Sequence, residues 1–208
     1  MLKVDKISVM NMENAIRGAR NPMNSWARMD SYYDKDGAFV LGENDLALAK
    51  RLAVAGSDHR KFLRQIFVSM DILAPLYWWK EFDTYKVGTV ANSTSTMHKI
   101  QAKEFTRDDF SHDRMSEGAL KVLDNTIEYL EKSRKCYVET RDAAYWHDMI
   151  QLLPTSYNQL RTVSMNYEVL INIYYARRNH KLGEWKTLAQ EIEKLPYAND
   201  LILVKKEG

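Results

Sequence analysis

Between Gly88 and Met97 the chain reads Gly-Thr-Val-Ala-Asn-Ser-Thr-Ser-Thr-Met, a stretch dense in hydroxyls with one amide. The composition predicts a loop that exposes hydrogen-bonding groups and suits the polar edge of a planar ligand. Cations stand before it at Lys80 and Lys86, and His59 and Arg64 lie further upstream. Downstream, Asn166 adds an amide, and Arg177 and Arg178 add two guanidiniums.

Other chemistries lack their residues. No glycine-rich phosphate loop, no Gly-x-Gly-x-x-Gly, no His-Glu-x-x-His and no Gly-x-Ser-x-Gly occurs. Cys136 is the single cysteine, so no internal disulfide and no cysteine-based zinc site can form. It reads as a small residue on a helix face, with no triad-like context for a nucleophile. The tightest acid–histidine group, Asp108, Asp109, His112 and Asp113, reads as a solvated charge run, and no metal site is expected. A formal charge of +2 implies neither a strong nucleic-acid nor a membrane field.

The elements that must position these groups follow from periodicity. Leu2 to Val9 suits a short strand and Met12 to Arg20 a helix. Glu43 to Ala55 places Leu46, Ala49, Leu52 and Ala53 on one helical face, with Gly56 to stop it. Ile66, Val68, Met70 and Ile72 alternate with Phe67, Ser69 and Asp71, the period of a strand with one buried face, closed by Pro75. Ser116 caps a helix that runs to about Arg134 with a stripe of Leu120, Leu123, Ile127 and Leu130. Further helices are expected over 140–152, from Val163 to Arg178, and from Leu182 to Leu195. No repeat or linker divides the 208 residues, so a single domain over 1–208 is expected. No window approaches the roughly 20 apolar residues of a membrane span, and no signal peptide is visible, so the cytoplasm is the expected compartment. Five Trp and 12 Tyr cluster at Tyr77-Trp78-Trp79, Tyr145-Trp146 and Tyr174-Tyr175, as ligand or subunit contacts or as an aromatic-rich core.

Two stretches of the chain, roughly 45–98 and 150–195, resemble the flavin-dependent thymidylate synthases. In that family a strand leads into Arg-Gln-x-x-Arg-His-Arg and then a segment of Ser, Asn-Glu, Ser and Arg. Here the strand leads through Pro75 into Lys80-Glu81-Phe82-Asp83-Thr84-Tyr85-Lys86. Thr89 then stands for the first Ser, Asn92 for the Asn and Ser95 for the second Ser, with one residue inserted. Ala55 to His59, continuing to Arg64, sits where the family has a Gly-His element. Leu152-Leu153-Pro154, Tyr157, Thr162 and Asn166 resemble its Leu-Pro, Tyr-Thr and Thr-x-Asn sequence. Arg177 follows at the offset of a substrate-binding Arg, and Ala189-Gln190-Glu191-Ile192 echoes a helix of the family.

The resemblance implies an α+β fold, a mixed or antiparallel sheet flanked by helices. It implies FAD as cofactor, with His59, Arg64, Lys86, Asn92 and Asn166 toward the flavin. Toward a pyrimidine nucleotide such as dUMP it implies Lys80, Thr89, Ser95 and Arg177, with Lys86 reaching a phosphate. It also implies a homotetramer with shared sites. The departures are as informative. Thr84 and Tyr85 replace the family's Arg and His, Ser93 replaces the Glu, and Met97 and Ile150 replace two further arginines. Each lost charge-assisted hydrogen bond is worth roughly 1.5–3 kcal/mol, unless Lys80, Lys86, Arg64 or Arg178 compensates. Three readings stay open: a divergent flavin-dependent methyltransferase making dTMP, a non-catalytic protein that binds or sequesters a nucleotide, and an interaction module anchored by Tyr77-Trp78-Trp79.

Overall fold

The computed structural model describes residues 1–204. Its class is α+β, helices with an antiparallel sheet. Strands β1 (Lys3–Met10), β4 (Phe67–Pro75), β6 (Asn158–Asn166) and β5 (Val90–Ser93) form one sheet in the order β1-β4-β6-β5. A separate antiparallel hairpin joins β2 (Tyr32–Tyr33) to β3 (Phe39–Val40). The predicted alternation of β4 is present, with Val68, Met70, Ile72 and Ala74 all buried. Among the described residues, no helix is long and apolar enough to cross a membrane.

The chain divides into two compact units, each assembled from separated segments. The first comprises Met1–Lys3, Ile72–Thr84 and Asn92–Thr162. Its main helices are α3 (Leu76–Phe82), α4 (Glu117–Thr140) and α5 (Ala143–Gln151). Ser116 caps α4 as expected, accepting from the Ala119 N–H. The helix outruns its predicted end near Arg134 by more than a turn, because nothing breaks it before Arg141 adopts a left-handed conformation. Ile100, Phe105, Phe110, Leu123, Leu130 and Met149 form the core beneath α4 and α5. A second knot joins Trp78, Trp79 and Phe82, with ring centroids 4.9–5.3 Å apart. Both tryptophans are fully buried, so the Tyr-Trp-Trp run is core and offers no tryptophan anchor to another subunit. The stretch from Tyr77, of mixed period in the sequence, is helical because the Leu76 and Tyr77 N–H groups bond to the Tyr157 and Thr155 carbonyls.

The second unit comprises Val4–Asp71, Tyr85–Ala91 and the chain from Val163 onward. It contains α1 (Met12–Ala19), α2 (Glu43–Val54), α6 (Tyr167–Arg177), α7 (Gly183–Glu193) and α8 (Ala198–Leu201). A 3-10 segment, Arg60–Gln65, touches α1, α2 and α6 and so acts as their hub. Helix α6 buries Tyr167, Val169, Leu170, Ile171, Ile173 and Tyr174.

Two expectations are corrected. The helix predicted from Val163 begins only at Tyr167, since Asn158–Asn166 is strand β6. Its Gln159, Val163 and Met165 are buried on a period of two, and Asn166 is the helix cap. The expected Gly88–Met97 loop contains strand β5, exposed at all four residues and lying at the edge of the sheet. An edge strand without a buried face shows no hydrophobic alternation, so pairing with β6 decides its state.

Candidate functional site

In the second unit, the hub carries Arg60 and Arg64 four residues apart. Both guanidiniums grip one carboxylate on the first turn of α6: Arg60 Nε meets Glu168 Oε1 at 3.1 Å and Arg64 Nε meets Oε2 at 2.6 Å. Arg60 is almost wholly buried, so Glu168 compensates a charge that water cannot reach. Arg64 also donates to the Ser57 carbonyl at 3.1 Å, which ties the turn after α2 to the same clamp. Asn166, just before Glu168, uses its Oδ1 to accept from the Val169 N–H at 3.0 Å. Its side chain therefore starts the helix that presents Glu168.

A cleft of 430 Å³ opens beside the clamp, lined by Ala53, Arg60, Ile171, Asn172, Tyr175 and Ala176, with Val204 at its edge. The Arg178 guanidinium lies 5.0 Å from the Tyr175 ring centre and 5.4 Å from that of Tyr174. Tyr175 donates its hydroxyl hydrogen to the Val204 carbonyl at 2.8 Å. The cleft thus combines an aromatic ring, an amide, a guanidinium and apolar walls. Its volume lies within the usual range of small-molecule sites, about 300–1,000 Å³.

The segment Tyr85–Ala91 is held along α6 from end to end. Arg177 donates from Nε to the Tyr85 hydroxyl at 2.9 Å, and its guanidinium stacks 4.9 Å from the Trp185 ring. At the other end a Cβ on Gly88 would come within 3.0 Å of Asn166 Nδ2 and 3.1 Å of Val169. Gly88 also has φ +75°, so both space and backbone favour glycine there. Thr89 follows, its Oγ1 buried and without a hydrogen-bond partner. Lys86 is exposed. The structure brings Arg64 and Asn166 together through Glu168, and Thr89 and Arg177 along α6. It sends exposed His59 to another cleft, lined also by Arg51, Lys61 and Phe62.

In the first unit, Lys80 lies exposed on the last turn of α3, and Asn92 is exposed on β5. Ser95 folds a turn: its Oγ accepts from the Met97 N–H at 3.1 Å and the His98 N–H at 2.8 Å. The Thr94 N–H bonds to the Leu160 carbonyl at 2.9 Å, which fixes the start of that turn on β6. Gln159 donates to the Thr94 carbonyl at 2.7 Å and accepts from Arg161, whose guanidinium lies 4.3 Å from the Trp79 ring centre.

The positions where the resemblance wants arginine have other occupations. Thr84 Oγ1 donates to the Glu81 carbonyl at 2.8 Å and closes the end of α3. Met97 is about half exposed, and its carbonyl accepts from Trp146 Nε1 at 3.2 Å. Ile150 packs on the core under α4 and α5. None of the three supplies a cation.

The sequence singles out Tyr175 only within an aromatic cluster that could serve a ligand, and it does not point to Glu168, Arg60 or Asn172. The Arg–Glu pairings span more than one hundred residues, a separation at which periodicity is silent. The acid–histidine run also resolves into structural bonds. Asp109 caps a short 3-10 turn through Thr106, and Asp113 pairs with the Met1 ammonium, which holds its carboxyl below the ordinary range. Among the described residues, no group of three His, Cys, Asp or Glu is arranged to hold a metal.

No protein-family model and no curated protein matches the chain. Solved structures do. A crystal structure of the flavin-dependent thymidylate synthase ThyX from Helicobacter pylori, complexed with FAD and dUMP, superposes with TM-score 0.67 at 17% identity. The match covers 95% of this chain and 98% of that one. A second ThyX structure from that organism, also with FAD and dUMP, gives 0.68 at 17% identity, covering 97% of each chain. The UMP/dUMP methylase PolB from Streptomyces cacaoi, bound with 5-Br dUMP, gives 0.59 at 11% identity over 93% of this chain and 88% of that one. Over nearly its whole length, the chain carries the fold of the flavin-dependent thymidylate synthases.

Proposed function

We propose that this protein binds a flavin nucleotide and a pyrimidine nucleotide, as a divergent counterpart of the flavin-dependent thymidylate synthases. The observation that carries the reading is the cleft of Arg60, Asn172 and Tyr175 beside the Glu168 clamp. Its contents fit a flavin. An aromatic ring can face the planar heterocycle, an amide can pair with the edge of that ring, and a guanidinium offsets phosphate charge. A reduced flavin, when bound, supplies hydride. The chain's residues bind and orient it: Asn166 sets the start of α6, and Glu168 fixes Arg60 at the cleft. Lys86 and Thr89 lie on the segment along the same helix and are the proposed groups toward the nucleotide; for Lys80, Asn92 and Ser95 a ligand role is proposed on the resemblance alone.

Methyl transfer to the nucleotide is one form of this function. A binding or sequestering protein is the other, and it is favoured by Thr84, Met97 and Ile150, where three expected guanidiniums are missing. The reading carries with it a single-domain cytoplasmic homo-oligomer, tetrameric by the resemblance.

The test begins with the visible spectrum of the purified protein and titrations with FAD and with dUMP, followed by thermal unfolding. A ligand at one hundred times its Kd should stabilise the protein by about 2.7 kcal/mol. A colourless protein whose unfolding is unmoved by either ligand ends the proposal. Product from dUMP, reduced flavin and a one-carbon donor selects the enzyme; binding without product selects the non-catalytic form. A monomer at every concentration, with FAD present, removes the shared-site arrangement.

A further inference from the structure

The hub has a second side. Arg60 lines the cleft beside Glu168, whereas Asp58, His59, Lys61, Phe62 and Gln65 line a larger one of 710 Å³ closed by the end of α1 and by α2. The lining of that cleft is apolar at Pro22, Met23, Leu48, Leu52 and Phe62. Gly18 and Ala19 add little bulk, so the wall made by α1 stays thin.

The charges at this cleft are unbalanced. Arg51 and Lys61 are cations, His59 adds an imidazole, and Asp58 is the single carboxylate of the lining. Several other basic side chains of the unit are matched by a carboxylate: Arg20 pairs with Asp45, Lys50 with Asp200, and Arg60 and Arg64 with Glu168. Among the described residues, the side chains of Arg51, His59 and Lys61 make no ion pair or hydrogen bond. Two unmatched cations beside an apolar concavity constitute a recognition surface with both parts of an amphipathic ligand represented.

We propose that this cleft binds an organic anion, its apolar body against Met23, Leu48, Leu52 and Phe62 and its carboxylate, sulfonate or phosphate facing Arg51 and Lys61. Asp58 sets a charge preference by disfavouring ligands with anionic groups on its side. This cleft uses other residues of the hub and of α2 than the Glu168 cleft does, but His59, which the resemblance turns toward a flavin, lines it, so FAD is tested as a competitor below.

The probe is 8-anilinonaphthalene-1-sulfonate, with its uncharged relative N-phenyl-1-naphthylamine as control. The folded wild-type protein should enhance the fluorescence of the sulfonate saturably and bind the neutral amine at least tenfold more weakly. Arg51→Glu with Lys61→Glu should weaken sulfonate binding by about a hundredfold, on the order of tenfold per lost cation contact. Asp58→Asn should tighten it. All three positions are exposed, so near-ultraviolet circular dichroism and the melting temperature should stay unchanged in these variants. Unchanged sulfonate affinity in the double variant, or equal affinity for the neutral amine, overturns the proposal. Displacement of the sulfonate by FAD would overturn it too, by making this cleft part of the flavin site. Failure of FAD to bind, with the sulfonate result intact, would count only against the flavin reading.

Discussion

The clamp on α6 and the Asn92–Met97 stretch present similar chemical groups in opposite physical states. At the clamp, Arg60 is buried and its charge is met by Glu168, so that pairing is fixed before any ligand arrives. From Asn92 to Ser95 every residue is exposed, and Ser95 spends its hydroxyl on two backbone N–H groups of its own turn. Preorganised groups cost a ligand little ordering, whereas exposed ones must give up water and rotamer freedom. A binding role at the clamp is therefore inseparable from stability, while one at the loop is separable from it.

The largest effect is expected at Glu168. Glu168→Gln leaves the buried Arg60 without its charge partner, which should cost about 3 kcal/mol, the lower end for a broken buried pair. The urea midpoint should fall accordingly, and FAD affinity should fall with it because Arg60 lines the cleft. An unchanged midpoint would mean that the clamp is solvated in solution and no more fixed than the loop.

Asp45 sharpens the same point with a carboxylate away from the cleft. Burial alone pushes its pKa up, but bonds from Ser31, from Arg20 at 2.6 Å and from the Asp30 and Ser31 N–H groups bring it below the ordinary value. A carboxyl depressed on folding adds stability that is present above its unfolded pKa of about 3.9 and is lost as pH falls through the folded value. Asp45→Asn should therefore cost about 2 kcal/mol at pH 7. The gap between variant and wild type should narrow in urea titrations from pH 4 down to pH 2, with FAD affinity at pH 7 unaffected. Parallel pH profiles for the two proteins would contradict the assignment.

How much of this was legible follows from what each residue's role depends on. The Ser116 cap, the α2 stripe ended near Gly56 and the alternation along β4 are local patterns, and they appear where the spacing puts them. Val163 and Met165 suit either a strand or the start of a helix by local pattern; pairing in the sheet and the Asn166 cap separate β6 from α6. Asn166 and Ser95 were recognisable as polar positions of consequence, and each proves to hold backbone N–H groups. Arg177 was expected to meet substrate, yet its Nε is held by Tyr85, the residue standing where the family has histidine. Glu168 carried no signal at all, since an acid on the first turn of a helix is ordinary until the fold brings Arg60 and Arg64 to it.

The smallest effects decide the loop. Ser95→Ala removes two hydrogen bonds from an exposed turn and should cost no more than about 1 kcal/mol. Asn92→Ala touches nothing inside the chain that its exposure does not also offer to water, so its effect on stability should stay within about 0.5 kcal/mol. Nucleotide affinity is then the informative measurement. If β5 presents Asn92 to a ligand, Asn92→Ala should weaken dUMP binding about tenfold while the urea midpoint stays put, equivalent to one hydrogen bond of about 1.4 kcal/mol. Ser95→Ala acts through turn geometry and should weaken binding less, by a factor that tracks the small loss in stability. If both variants bind dUMP as wild type does, the loop only shapes the edge of the sheet, and the nucleotide reading rests on Lys86 and Thr89 along α6.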